Sequence, residues 1–360
     1  MPARHLTPNC IWNSFRSSGK RNLILTGTRK SGKTTLFRQL FPELLPGLTS
    51  WAKPGEAVFL KDNRSHEMVQ VGRFDATLPG PENQMVSIPE AFLSFGVPAL
   101  ERHSLSGHPW ISIDEIGYLE TQCDAYLNAL RRLFETKQVV AVVRKQQLPA
   151  LAELCAREDT FVVDLDDPFG SIGCVIMASG LSKRFGSNKL MADFDGEPLI
   201  CRILDATGGI FPRRVLVTRH EKIAEIGQTR GIQTILHDQP HRSDTIRLGL
   251  EALPEVERCM FAPADQPLIR PETIASLCLA SANAPNAIWR TTCEGTPGSP
   301  VIFPRWSFDE LLHLPEGSGG GWVMKKHPES VSSVQVENPY ELMDADTPET
   351  LELLKSKVSG

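Results

Sequence analysis

The sequence predicts an α/β protein with two doubly wound domains. Short apolar runs alternate with longer segments of helical spacing in both halves of the chain, a pattern typical of parallel strands connected by helices. At 360 residues the chain is also longer than one domain of common size. We therefore expect two sheets, each covered by its own helices.

The expected strands fall into two groups. They cover residues 22–26, 110–113, 139–143 and 161–165 in the first half, and 172–177, 215–218, 259–262 and 301–303 in the second. Between the groups, residues 164–170 are acidic, contain a proline and a glycine, and have little apolar content to bury, which indicates a joint. We assign a loose extension to residues 1–20, a first domain to 21–168 and a second domain to 169–360.

The composition excludes several classes of protein. Lysine and arginine number 38 against 43 aspartates and glutamates, so a net charge of −5 provides no positive field for nucleic acid. The eight cysteines form no C-x-x-C pair, which argues against zinc ribbons and disulfide scaffolds. No apolar run reaches the roughly 18 residues that span a bilayer, and a signal-peptide pattern is absent from the first 20 residues. We expect a cytoplasmic protein with no nucleic-acid or membrane partner.

A phosphate-binding loop is predicted directly after the first strand. Residues 27–34 fit the pattern G-x-x-x-x-G-K-[ST] and precede a segment of helical spacing. In such a loop the backbone amides wrap a triphosphate, Lys33 reaches the β- and γ-phosphates, and the Thr34 hydroxyl binds Mg²⁺. The expected nucleotide-binding residues are Gly27, Thr28, Arg29, Lys30, Ser31, Gly32, Lys33, Thr34 and Thr35.

Two adjacent carboxylates end the strand at 110–113. A parallel sheet presents ligands from the carboxyl ends of its strands, so Asp114 and Glu115 are expected near the loop. Asp114 would hold Mg²⁺ through water, and Glu115 would polarise the water that attacks the γ-phosphate. The alternative is that the pair only caps the next helix, but the upstream loop favours the catalytic interpretation.

With these motifs, residues 21–167 resemble a small family of P-loop nucleoside triphosphatases best known from thermophiles. The resemblance rests on the loop at 27–35, on the run Ile-Asp-Glu-Ile-Gly-Tyr-Leu-Glu at 113–120, and on the apolar strand at 139–144. It implies Mg²⁺-dependent release of phosphate from nucleoside triphosphates with loose base preference. Lys33 and Glu115 would be its catalytic residues.

A second glycine loop opens the second half. Residues 178–189 follow an apolar strand and combine small residues, which allow close approach of a nucleotide, with Arg184 and Lys189 as cations for a triphosphate. Further on, Asp265 follows the strand at 259–262, where a metal-bound nucleotide would lie. This combination is much more selective than a glycine loop alone. His237 and His241 flank a proline and predict an exposed turn rather than a metal site.

Most of residues 171–356 resembles the nucleotidyltransferase superfamily that includes the molybdenum cofactor cytidylyltransferases and related guanylyltransferases. The matching motifs are the loop to Lys189 and residues 195–199, 243–250, 265–268, 298–304 and 344–349. The resemblance implies a Rossmann-like fold of the nucleotide-diphospho-sugar-transferase type. It also implies nucleotide binding by Ala178, Ser179, Gly180, Ser182, Arg184 and Lys189.

The implied reaction explains these residue types. An acceptor phosphate attacks the α-phosphorus, pyrophosphate leaves, and the developing charge needs cations more than a base. Arg184, Lys189 and Asp265 would be catalytic, and Asp265 would share Mg²⁺ with a second carboxylate. We choose Asp344 as that second ligand, because Asp346 precedes Thr-Pro-Glu and is expected to cap a helix.

The sequence thus predicts a nucleoside triphosphatase fused to a nucleotidyltransferase that moves CMP from CTP to a molybdopterin-type acceptor, with Mg²⁺ as cofactor. Two alternatives stay open for the second half, namely GMP transfer to the pterin and transfer to a sugar or polyol phosphate. A third concerns the first half, which would then be a nucleotide-dependent switch that docks a client molybdo-enzyme or delivers the cofactor.

Overall fold

The computed structural model describes residues 5–78, 84–182 and 184–358. The chain divides into two compact units, the first comprising Gly19–Asp166 and the second comprising the chain from Asp167 onward with the segment before Gly19. Each unit contains one large mixed sheet, which confirms the α/β class. The division between Asp166 and Asp167 lies within the segment 164–170 and two residues before the domain boundary assigned from the sequence.

Among the described residues, the first unit has an eight-stranded sheet in the order β5-β4-β3-β2-β6-β7-β1-β8. Its strands are β1 (Asn22–Gly27), β2 (Gly47–Lys53), β3 (Ala57–Asp62), β4 (Met68–Phe74), β5 (Met85–Ser87), β6 (Trp110–Ile116), β7 (Gln138–Arg144) and β8 (Thr160–Asp164). Strands β2, β6, β7, β1 and β8 are parallel, and β3, β4 and β5 extend the sheet as antiparallel neighbours.

The helices that cover this sheet are amphipathic. In α5, buried apolar side chains recur at helical spacing from Tyr126 to Phe134, and Tyr126 packs against Phe92 with ring centroids 4.9 Å apart. The helices of the unit are α2 (Lys33–Leu40), α3 (Pro89–Ala91), α4 (Val97–Leu105), α5 (Asp124–Thr136) and α6 (Pro149–Ala156).

The second unit has a seven-stranded sheet in its described residues, ordered β13-β12-β9-β14-β16-β15-β17, and a separate pair β10-β11. The strands are β9 (Ile172–Ala178), β10 (Asp193–Phe194), β11 (Glu197–Pro198), β12 (Arg213–Thr218), β13 (Gln233–Leu236), β14 (Arg258–Pro263), β15 (Ile288–Cys293), β16 (Thr296–Pro304) and β17 (Val331–Gln335). Strand β16 runs antiparallel to both of its neighbours.

Strand order in this sheet reverses beside β9, which is where a ligand crevice is expected in an open α/β sheet. The parallel register places Thr218 beside Ala178 and Pro263 beside Met177, so the loops after β9, β12 and β14 leave the sheet at one edge. The helices are α1 (Pro8–Ser18), α7 (Ile200–Ala206), α8 (Glu221–Thr229), α9 (Arg242–Glu251), α10 (Pro271–Asn283), α11 (Phe308–Leu312), α12 (Gly321–Lys326) and α13 (Pro348–Ser356).

The eight strands expected from the sequence are all present, with ends that shift by at most a few residues except in β16, which starts five residues earlier. The expectation of parallel sheets is only partly right, because β3, β4, β5 and β16 are antiparallel. Strands β2, β4 and β5 are not predicted from the sequence because their partly exposed residues form no long apolar run. Strand β3 is not predicted either, although residues 57–60 are apolar.

The N-terminal segment is not the loose extension that the sequence predicts for residues 1–20. Residues Pro8–Ser18 form α1, which buries Cys10, Ile11 and Phe15 and packs against α10 and β17. The Ser14 hydroxyl lies 2.8 Å from the carbonyl oxygens of both Cys10 and Ser276. Helix α1 is therefore part of the second unit. In the described part of the chain, no helix has the length and apolar character needed to cross a membrane.

We predict that Ile11→Ala destabilises the second unit by about 2–5 kcal/mol, because the Ile11 side chain is fully buried and its loss leaves a cavity. Hydrogen exchange should show lower protection of the β15 and β17 amides, with β6 and β7 unchanged. Leu105→Ala, at a position 87% exposed, is the control and should change neither sheet. Lost protection confined to β6 and β7 would contradict the assignment of α1.

Candidate active sites of the two units

The phosphate loop of the first unit closes around its own lysine. Gly27 ends β1 at φ 147° and Gly32 precedes α2 at φ 100°, backbone angles that favour glycine. Lys33 is buried, and its Nζ donates hydrogen bonds to the carbonyl oxygens of Gly27 (2.9 Å) and Thr28 (2.8 Å). The ammonium thus lies inside the turn of the loop, where a lysine of this motif meets phosphate.

The other predicted residues of this loop lie at the surface. Thr28, Arg29, Lys30, Thr34 and Thr35 are exposed. A Cβ on Gly27 would lie 2.7 Å from Ser31 Oγ, so a side chain at position 27 would collide with the loop. The Ser31 hydroxyl is buried and has no partner among the described residues, which leaves one polar atom of the loop available to a ligand.

Asp166 supports the phosphate loop of the first unit, a role that the sequence does not predict. The sequence assigns residues 164–170 to a joint, yet Asp166 accepts hydrogen bonds from the Thr28 amide (2.8 Å) and hydroxyl (2.9 Å). Lys145 Nζ bridges Asp164 (2.7 Å) and Asp166 (3.1 Å). Partial burial raises the pKa of Asp166, but the bonds from Lys145 and Thr28 outweigh it and hold the pKa below its usual value. Carboxylates directly after a parallel strand were the available signal.

The paired carboxylates at the end of β6 lie at the same edge of the sheet. Burial, followed by the charge of Glu115, raises the pKa of Asp114 to about 6, against the opposing influence of Arg38 and Lys33. Glu115 Oε2 lies 2.9 Å from Arg144 Nε at the end of β7. Arg144 therefore orients the carboxylate that the sequence predicts as the general base.

The residues after this pair hold Arg144 in position. The Gly117 amide donates a hydrogen bond to Glu120 Oε2 (2.8 Å), and burial raises the pKa of Glu120. A Cβ on Gly117 would lie 2.8 Å from Arg144 Cδ, so glycine leaves the room that the arginine occupies. The run after Asp114 and Glu115 thus has a structural role in positioning the Glu115–Arg144 pair.

The second unit has a cleft of about 790 Å³ at the edge where β9, β12 and β14 end. Ser179, Gly180, Ser182, Arg184, Lys189, Asp265, Asp344 and Asp346 all line it. Ala178 is buried at the end of β9, and its carbonyl oxygen accepts a hydrogen bond from the Thr218 hydroxyl (3.0 Å). The structure thus brings all the predicted site residues of this unit to one cleft except Ala178, which supports the loop from below.

A buried ammonium joins three segments of this cleft. Lys189 is 9% exposed, and its Nζ lies 2.6 Å from Asp265 Oδ2 and 2.7 Å from Asp346 Oδ1. Arg184 Nη2 contacts the other oxygen of Asp346 at 2.5 Å. Burial alone would lower the pKa of Lys189, but the two carboxylates raise it. The hydrogen bond from Lys189 in turn lowers the pKa of Asp346.

The reason for preferring Asp344 to Asp346 is wrong. Helix α13 is capped by Thr347, whose hydroxyl accepts a hydrogen bond from the Thr350 amide at 3.2 Å. Asp346 instead faces Lys189, whereas Asp344 accepts a hydrogen bond from Gln266 Nε2 at 3.0 Å. A threonine before Pro348, the first helical residue, was the sequence signal for this cap.

Partial burial, with the charge of Asp265 next in importance, raises the pKa of Asp344. Among the described residues, no three histidine, cysteine or acidic side chains are arranged to hold a metal by themselves.

Two histidines support the loop after β9. His237 Nε2 lies 2.8 Å from Ser179 Oγ, which donates a hydrogen bond to the Val217 carbonyl oxygen at 3.2 Å. His220 Nε2 lies 3.0 Å from the Gly180 carbonyl oxygen. Burial lowers the pKa of His237. The sequence predicts an exposed turn here, but His237 is partly buried and positions Ser179.

An aromatic wall faces the cleft from β14 and β16. The rings of Phe261 and Phe303 pack edge to face with centroids 5.9 Å apart. A Cβ on Gly320 would lie 2.5 Å from Phe303 Cζ, so the glycine run at 317–321 approaches the ring more closely than any other residue type allows. The two rings add apolar surface to the cleft beside its charged end.

Two family models match the chain. Residues 57–167 match the model described as NTPase, and residues 174–331 match the model described as MobA-like NTP transferase domain. The first match contains Asp114, Glu115 and Arg144 and begins after the phosphate loop. The second contains Lys189 and Asp265. Both resemblances expected from the sequence are confirmed, and both support an enzyme that acts on nucleotides.

Individual proteins match over shorter ranges. The bifunctional protein GlmU of Desulfitobacterium hafniense is 33% identical over 109 residues, covering 29% of this chain and 24% of that protein. The 3-deoxy-manno-octulosonate cytidylyltransferase of Francisella tularensis is 29% identical over 130 residues, covering 34% and 51%. The chain thus spans between a quarter and about half of these relatives.

Among solved structures, a nucleotidyl transferase from Methanothermobacter has a TM-score of 0.44 and 18% identity, and the match covers 52% of this chain and 97% of that one. The chain contains a region that matches the NTPase family model, at residues 57–167, followed by a region that matches the MobA-like NTP transferase domain, at residues 174–331.

Proposed function

We propose that the second unit transfers CMP from CTP to a molybdopterin-type acceptor that carries a phosphate, with release of pyrophosphate. The observation that carries this proposal is Lys189, a buried ammonium held between Asp265 and Asp346 at the strand-order reversal beside β9. Nucleotide sites of open α/β sheets lie at such reversals. A cation and two carboxylates at that point suit a metal-bound triphosphate.

The charges suggest how these groups act. Triphosphate oxygens entering the cleft would compete with Asp346 for Arg184 and Lys189, because both cations bond strongly to phosphate. Lys189 would then stabilise the charge that develops at the α-phosphate, and the two carboxylates would be released. A phosphate acceptor is ionised at neutral pH, so the reaction needs no general base.

The donor set fits Mg²⁺. Carboxylate oxygens suit this ion, which typically takes one or two protein carboxylates together with phosphates and water. Asp265 and Asp346 face one point, since both contact the same ammonium, whereas Asp344 is turned to Gln266. We therefore assign Asp265 and Asp346 as the ligands. Bound Mg²⁺ would supply positive charge to the triphosphate and the leaving pyrophosphate.

The choice of CTP rests on the relatives that are named cytidylyltransferases, including the one from Francisella tularensis. The choice of acceptor rests on the MobA-like match. Incubating the full-length protein with Mg²⁺, each nucleoside triphosphate and molybdopterin tests both. Mass spectrometry should detect the cytidine dinucleotide product, and formation only of the guanine product, or of a sugar nucleotide when a sugar phosphate is supplied, would contradict the proposal.

For the first unit we propose hydrolysis of nucleoside triphosphates. Lys33 would bind the β- and γ-phosphates, and Thr34 with Asp114 would hold Mg²⁺. Glu115, oriented by Arg144, would polarise the attacking water. Phosphate release by the protein alone tests this, and a rate measurable only after a client molybdo-enzyme is added would favour the switch alternative.

We predict that single substitutions can remove phosphate release or pyrophosphate release and leave the other activity unchanged. Lys33→Ala should lower phosphate release at least about 100-fold and leave pyrophosphate release unchanged, while Lys189→Ala should do the reverse, because each lysine stabilises charge at its own site. Lys222→Ala, at an exposed position of α8, is the control. Loss of both activities in either folded single variant would contradict independent sites.

A second prediction distinguishes the three residues that precede α13. Asp346→Asn should lower pyrophosphate release at least about 100-fold, as expected for loss of a charged group at the reacting phosphates. Asp344→Asn should have a smaller effect. Thr347→Ala should lower the free energy of unfolding by about 0.5–2 kcal/mol through loss of the cap, with activity retained. Pyrophosphate assays and urea unfolding measure these effects, and a larger loss in Asp344→Asn than in Asp346→Asn would reverse the assignment.

A further inference from the structure

The cations that line the cleft of the second unit differ in their partners. Arg184 and Lys189 contact carboxylates, and Arg219 donates a hydrogen bond to the Asp238 carbonyl oxygen at 3.3 Å. Within the described ranges, the side chain of Arg290 lines the cleft without a hydrogen bond or ion pair, and its Nε is buried. The Nε–H donor is therefore withdrawn from water without a compensating partner.

Arg290 lies on a different part of the sheet from the triphosphate loop. It belongs to β15 and pairs with Val301 of β16, and the register of the two strands shifts directly after it. In the sheet order, β14 and β16 separate β15 from β9, the strand that leads into the loop. Arg290 is therefore separated by two strands from the strand that leads into the loop of Arg184 and Lys189.

The surroundings of Arg290 would strengthen its interaction with an anion. Phe261, Val301 and Phe303 line the same side of the cleft and supply apolar surface. In a poorly hydrated site of this kind, attraction between opposite charges is stronger than in water. Burial lowers the pKa of Arg290, but an arginine keeps its charge at neutral pH. The planar guanidinium also matches two oxygens of a phosphate at once.

We propose that Arg290 binds the phosphate group of the acceptor and is a specificity-determining residue of the transfer reaction. This inference rests on the proposed function, because it requires an acceptor with an anionic group in the same cleft as the nucleotide. Arg184 and Lys189 hold the triphosphate at one side, and Arg290 holds the acceptor phosphate from the other. Acceptors that lack a phosphate bind poorly, since they leave the buried Nε of Arg290 without a partner.

Inorganic phosphate is the probe, and the full-length protein is used. Arg290→Gln removes the charge, and Arg290→Lys keeps it without the planar donor pair. Arg213→Gln is the matched control, because Arg213 is an exposed arginine of β12 that pairs with Glu255. Arg242→Gln is the second comparison, because Arg242 lines the cleft at the start of α9. Circular dichroism establishes that each variant is folded.

Phosphate stabilises the folded protein wherever it binds, including the proposed triphosphate sites at Lys33 and Lys189, so the difference in the Tm rise between Arg290→Gln and the control variants reports the contribution of Arg290. We expect the Tm rise caused by phosphate to fall by about half or more in Arg290→Gln, to recover partly in Arg290→Lys, and to persist in Arg213→Gln and Arg242→Gln. With molybdopterin as acceptor, the KM for the acceptor should rise about tenfold or more in Arg290→Gln, while the KM for CTP stays unchanged.

The inference is overturned if Arg290→Gln keeps the full response to phosphate, or if Arg242→Gln loses that response in its place. An increase in the KM for CTP equal to that for the acceptor would also overturn it. The phosphate titration does not require turnover, so it decides the role of Arg290 even when molybdopterin is not a substrate. Failure of the proposed function would instead appear as absent transfer by the unsubstituted protein.

Discussion

The ammonium of Lys189 is the constraint on which the candidate transferase site depends. A cation that is 9% exposed is stable only when carboxylates offset its lost hydration, and here Asp265 and Asp346 do so at 2.6 and 2.7 Å. The three residues come from the loop after β9, the turn after β14 and the segment before α13. These three residues can meet only because β9 and β14 are parallel and in register. The same register brings the glycine loop, the carboxylates proposed to bind metal and the rings of Phe261 and Phe303 to one cleft.

The lysines predicted to bind phosphate in the two units have different kinds of hydrogen-bond partner. Lys33 bonds to the carbonyl oxygens of Gly27 and Thr28, which are neutral groups of its own loop. Lys189 bonds to two carboxylates from distant segments. A phosphate that approaches Lys33 displaces only backbone oxygens, whereas one that approaches Lys189 frees carboxylates that can bind a cation. This difference agrees with hydrolysis in one unit and nucleotidyl transfer in the other as the proposed reactions.

The sequence predicts eight of the described strands and the loops of both candidate sites, because these strands contain continuous apolar runs and several of them end in glycine or acidic residues. Prediction from the sequence fails where the role of a residue depends on a partner far along the chain. The contact of Ser14 with Ser276, the bond between His237 and Ser179, and the support that Asp166 gives Thr28 leave no periodic signal. The assignment of Asp346 as a helix cap fails for a local reason, since Thr347 next to it competes for the same position and provides the cap. Arg290 is similar to many surface arginines in sequence, and only the folded cleft shows that its Nε is buried.

The most direct test of this account is a crystal structure of the full-length protein with CTP and Mn²⁺, in which the anomalous signal of manganese locates the ion. The account predicts that Lys189 Nζ contacts a phosphate oxygen of CTP and that manganese lies between the carboxylates of Asp265 and Asp346. It is contradicted if CTP binds elsewhere while Lys189 remains paired with both aspartates.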